Sequence, residues 1–102
     1  MAFVLVYITH KNKAEARKVV SRLLKRRLVA CANIFPIESH YRWKGRIEQA
    51  KEIVTVLKTK KENWNKVRAE VERIHPYEVP CIMRLDAEAN PSYESWIRKE
   101  TR

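Results

Sequence analysis

Residues 2–9 read Ala-Phe-Val-Leu-Val-Tyr-Ile-Thr, an unbroken run of aliphatic, β-branched and aromatic side chains. Alternation along a strand puts Phe3, Leu5 and Tyr7 on one face and Val4, Val6 and Ile8 on the other, and both sets are apolar. A strand over residues 2–9 therefore needs cover on both sides, which predicts a place inside a layered sheet. Just beyond it, Asn12 offers a helix N-cap with Glu15 three residues on. Ala16, Val19, Val20, Leu23, Leu24 and Leu28 then recur at helical spacing, with Arg17, Lys18, Arg22, Lys25 and Arg26 lining the other side.

Residues 30–37 (ACANIFPI) return to β-compatible side chains, and residues 39–43 continue extended to Lys44-Gly45, where the chain's one glycine marks a turn. Residues 46–59, containing Ile53-Val54-Thr55-Val56-Leu57, supply the second arm of a hairpin. Both arms exceed the usual strand length of about five or six residues. Pro36 cannot donate to a ladder, so a bulge or bend is expected there. Trp64, Val67, Val71 and Ile74 set a second helix that ends before His75-Pro76, because a proline disfavours helical geometry in the residue before it. Residues 79–86 (VPCIMRLD) read as a last strand, and Asn90-Pro91 opens a terminal helix carrying Tyr93, Trp96 and Ile97.

The order strand, helix, strand, strand, helix, strand describes two βαβ halves joined by a hairpin. Its simplest topology is a ferredoxin-like α+β sandwich with a C-terminal helix, one domain over residues 1–102, with both crossover helices on one face. The other face, apolar along the first strand, is left for the terminal helix, the hairpin arms and another copy of the chain.

Of the 102 residues, 45% are apolar and 33% charged, which suits a folded domain. No apolar run approaches the roughly 20 residues of a membrane helix, and the N-terminal stretch lacks a basic segment and a small-residue cleavage site, so a soluble cytoplasmic protein is expected. The formal charge of +10 raises nucleic acid, anionic lipid or an acidic metabolite as partners. Abundant Lys and Glu beside a single Gln also suits a thermophile's surface ion pairs. Cys31 and Cys81 are expected as reduced, buried thiols without a disulfide.

The topology brings the end of the first strand, the hairpin tip and the loop before the last strand to one edge. His10, His40 and His75 belong there, with Tyr41, Trp43, Tyr77 and Cys81. Imidazole and thiolate are good ligands for Cu or Zn, so His10, His75 and Cys81 are the candidate metal ligands. The competing reading is that His75-Pro76 only terminates a helix. Lys58 and Asn33, polar residues in apolar strands, point to an interface network or an anion pocket. Catalysis finds no support: there is no Ser/His/Asp order, phosphate-cradling Gly loop or isolated carboxylate pair. An RNA-reading module is disfavoured because the central strand, Ile53 to Leu57, holds only aliphatics and Thr. Nucleic acid is left only a nonspecific adhesion to the basic first helix.

Five strings carry a family resemblance: Leu28-Val29-Ala30-Cys31-Ala32-Asn33-Ile34, Tyr41-Arg42-Trp43-Lys44-Gly45-Arg46-Ile47, Leu57-Lys58-Thr59, His75-Pro76-Tyr77-Glu78-Val79-Pro80, and Tyr93 with Trp96. In order and spacing the chain resembles the CutA-type divalent-cation tolerance proteins. The resemblance implies a ferredoxin-like fold, a homotrimer related in architecture to PII signalling proteins, cytoplasmic location, and an association with copper and other divalent metals. It implies no enzymatic activity and no required cofactor. His10-Lys11 and Cys81 depart from the family pattern. The alternative function is a PII-like structural or signalling trimer that binds a small anion or a protein partner in its inter-subunit clefts.

Overall fold

The structure, a computed structural model, describes residues 3–102. The predicted start of the first strand at Ala2 lies outside the described residues. The chain runs β1 (Phe3–His10), α1 (Lys13–Lys25), β2 (Cys31–Trp43), β3 (Arg46–Lys60), α2 (Trp64–Ile74), β4 (Ile82–Ala87) and α3 (Pro91–Glu100). The sheet runs β2-β3-β1-β4 and is antiparallel throughout. This is the ferredoxin-like arrangement expected from the element order.

Val4, Val6 and Ile8 of β1 and Leu57 of β3 pack against Val19 and Leu23 of α1 and Val67 and Val71 of α2, and all are buried. Burial of each such side chain contributes on the order of 2 kcal/mol, so this layer is the main source of stability. The opposite face of β1 is covered at one end by α3, where Tyr93 meets Phe3 edge-on at 6.4 Å. Further along that face Met83, Leu85 and Phe35 stay exposed.

Helix α1 starts as predicted, with the Asn12 side chain accepting the Glu15 N–H at 2.9 Å. It ends earlier than the apolar stripe suggests. Arg27 takes a left-handed conformation (φ 57) and donates its N–H to the Leu24 carbonyl, while the Leu28 N–H returns to Leu23. That Schellman arrangement buries Leu28 outside the helix, and Leu24 is exposed. The Arg27 guanidinium then donates to the carbonyls of Lys99 and Glu100, tying this corner to the end of α3.

Lys44 and Gly45 both have positive φ, as a two-residue type I′ hairpin turn requires. From that turn the β2–β3 register runs without a break from Trp43↔Arg46 to Cys31↔Lys58. The bulge expected at Pro36 does not form. β2 is an edge strand, and its pairing passes through Pro36↔Ile53 undisturbed, as an edge position allows. The last strand is shorter than predicted, since residues 79–81 precede it. Asn90 caps α3 through its backbone only, while Glu94 accepts the Ala89 N–H.

Candidate functional site

His10 closes β1 and His75 closes α2, and the fold brings the two rings together. Pro76 holds His75 extended (φ −76, ψ 133) while its N–H still caps the helix at the Val71 carbonyl. The His75 Nε2 donates to the Thr9 carbonyl at 2.8 Å, and its Nδ1 accepts the Tyr77 N–H at 3.2 Å. A carbonyl only accepts and an N–H only donates, so the tautomer carrying hydrogen on Nε2 is assigned from the partners. Both nitrogens are thus engaged in joining β1 to the segment between α2 and β4.

His10 is 1% exposed, and its Nε2 lies 2.8 Å from the Thr55 hydroxyl. Its Nδ1 is buried with no partner among the described residues. Burial lowers the His10 pKa to about 4, His75 adds to the effect, and Glu52 opposes it. The ring is therefore uncharged at neutral pH.

Beside the histidines, Tyr77 donates its hydroxyl to Glu52 Oε2 at 2.6 Å. Burial, then the Glu52 carboxylate, pushes the phenol well above its ordinary range. The same two causes push up the Cys81 thiol. Tyr77, Glu52 and Cys81 line an open cleft of about 850 Å³ whose far wall is the hairpin, at Ile37, Tyr41 and Trp43.

Of the predicted metal ligands, His10 and His75 meet, whereas Cys81 sits on the cleft wall within reach of the Glu52 charge. Among the described residues no group of three His, Cys, Asp or Glu could hold a metal ion. The helix-terminating reading of His75-Pro76 is the one that this geometry supports. His40 lies apart on the exposed hairpin arm, 2.8 Å from Glu38. Sequence reasoning missed Thr55 and Glu52, whose signal was a hydroxyl and an acid on or beside the apolar run of β3.

A second cluster lies on the sheet face opposite α1 and α2, the face that also carries the cleft. Lys58 Nζ donates to the Tyr93 hydroxyl at 3.2 Å, and the Cys31 thiol is 3.5 Å from that same oxygen. Both cysteines are free, as expected, but half-buried rather than fully buried. Asn33 is exposed in the single chain.

A four-stranded antiparallel sheet with two crossover helices on one face, and a helix and an open cleft on the other, defines a ferredoxin-like α+β protein. The family model described as CutA1 divalent ion tolerance protein matches residues 4–100. The divalent-cation tolerance protein CutA of Pyrococcus horikoshii is 40% identical over 100 residues, covering 97% of this chain and 98% of its own. That of Thermotoga maritima is 40% identical over 97 residues, covering 94% of this chain and 96% of its own. The crystal structure of CutA1 from Pyrococcus horikoshii superposes with a TM-score of 0.94 at 39% identity, covering 97% of this chain and 98% of that one. The chain belongs to the CutA1 divalent ion tolerance family.

Proposed function

We propose that this chain works as a homotrimeric, non-catalytic divalent-cation tolerance protein of the cytoplasm, with copper the favoured ion. Family membership supports the tolerance role. The observation that carries the assembly is the outer hairpin. β1 stops at the pair His10↔Ile53, so from Glu52 to Arg46 strand β3 has only β2 beside it. An isolated two-stranded ribbon is marginal in water, and this one exposes Tyr41 and Ile47, the latter at 69%. With Phe35, Met83 and Leu85 also exposed, each copy offers both an arm and an apolar face to receive one. Such a heterologous contact closes into a ring of three where successive copies are related by a threefold rotation.

Among the described residues one chain holds no ligand trio, so in this reading donors from more than one copy share the ion, and imidazole and thiolate donors put Cu(II) above Zn(II). The two unpaired cysteines support a reducing compartment. A neighbour from Archaeoglobus fulgidus is described as periplasmic, and cell fractionation decides the matter for this chain. Light scattering at micromolar concentration should give three times the chain mass of 12.2 kDa. Trp43→Ala should weaken the assembly and, with it, saturable Cu(II) binding. A well-folded monomer overturns the reading.

A further inference from the structure

We propose that Lys58, Tyr93 and Cys31 form a binding site for a small organic monocarboxylate on the face of the sheet opposite α1 and α2. The register sets Cys31, Lys58, Leu5 and Leu85 in one row across all four strands, and residues directly opposed in a sheet share a face. Tyr93 of α3 reaches down onto that row, its hydroxyl taking the Lys58 hydrogen bond and its ring lying 5.3 Å from the ammonium.

Among the described residues no carboxylate stands within ion-pair distance of Lys58, whose stem is partly buried on a largely apolar face while its ammonium stays open to a partner. A cation in that setting attracts an anionic partner. The Tyr93 oxygen accepts from Lys58, so its own hydrogen, whose neighbour is the weak acceptor Cys31 Sγ at 3.5 Å, is available to a stronger acceptor. Ammonium and phenol together present two convergent donors, which match the two oxygens of a carboxylate. The Tyr93 bond also raises the Lys58 pKa, so the charge persists across the neutral range.

Charge and surroundings define the ligand class. One cation balances one negative charge, whereas a phosphate dianion would bring a second charge with no second cation to meet it. Around the donors stand Trp96, stacked on Tyr93 at 5.6 Å, and the exposed side chains of Leu85 and Met83. They offer an apolar platform for the body of the ligand. The inference is independent of the metal reading. In the trimer proposed above, the row lies on the covered face, so the ligand sits at the boundary between copies.

The test is calorimetric titration of the full chain with phenylacetate, its neutral isostere phenylacetamide, and inorganic phosphate. Phenylacetate should saturate, while the amide and phosphate should not. Lys58→Met should weaken phenylacetate binding about tenfold or more, the size of a lost charge-assisted bond, and Lys58→Arg should retain most of it. Tyr93→Phe should weaken it several-fold. Absence of saturation with phenylacetate, equal binding of the amide, or unchanged affinity in Lys58→Met would overturn the proposal. The wild-type comparison of acid with amide decides the matter even where a variant folds poorly, and light scattering on the same samples separates loss of the site from loss of the assembly.

Discussion

The rings of His10 and His75 stack 5.4 Å apart between centroids and 26° between planes, one at the end of the first strand and the other at the end of the second helix. Burial makes protonation of His10 costly, and the neighbouring His75 adds to the cost. Its pKa is about 4 in the folded chain against an ordinary 6.5, so between these values the unfolded chain holds more protons. The contribution to stability is complete above pH 6.5 and is lost as the pH falls through 4. Moving from neutral pH to about 4.5 should cost on the order of 2 kcal/mol at this residue, after allowance for solvent screening. His10→Phe should lose less stability over that interval in chemical denaturation, and an identical acid dependence would refute the assignment.

His75 serves as a joint. His75→Ala removes a bond to the Thr9 carbonyl, a bond from the Tyr77 N–H and the stacked ring, which should cost about 2–3 kcal/mol. Cu(II) affinity of the folded variant should stay unchanged, since both nitrogens are already engaged. A marked fall in affinity without loss of stability would restore His75 as a ligand.

At Arg27 the backbone favours glycine while the side chain favours arginine. Arg27→Ala keeps the left-handed strain and loses the bonds to Lys99 and Glu100. Arg27→Gly loses the same bonds but relieves the strain, so it should be the more stable of the two by about 1 kcal/mol. Thermal melts of both variants decide the sign.

Glu70 joins the two crossover helices. Arg22 and Arg26 from the α1 side and Arg73 from α2 converge on its carboxylate, and the Arg22 bond is the first cause of its lowered pKa. Glu70→Gln should cost about 1–2 kcal/mol at low ionic strength, because three guanidiniums then face one another without a counter-charge. High salt should shrink the difference, and a salt-independent loss would mark a packing defect instead.

Much of the frame was legible because its signals are local. The two apolar faces of residues 2–9, the Asn12 cap, the Lys44-Gly45 turn and the proline after His75 each act within a few residues. Pro36 misled because whether a proline disrupts a ladder depends on which strand lies at the edge, and that is settled by topology. The site was less legible for a related reason. His10 meets Thr55, and Tyr77 meets Glu52, only once β1 and β3 have paired in register and the segment after α2 has folded back. The Lys58–Tyr93 contact likewise needs the C-terminal helix to cross onto the sheet. Residue type marked Lys58 as odd, but spacing could not name its partner.

The unbroken β2–β3 register also governs how this chain can change length over generations. From Trp43↔Arg46 inward every partner is fixed by its distance from the turn. One residue added to each arm at the tip leaves all inner pairs as they are, and the ribbon grows by a single rung. One residue added to a single arm must be absorbed as a bulge, or else it turns every side chain beyond it to the opposite face. Viable insertions and deletions in this hairpin should therefore come in matched pairs, clustered near Lys44-Gly45, while the inner rungs that carry Cys31, Lys58 and Thr55 stay constant in number.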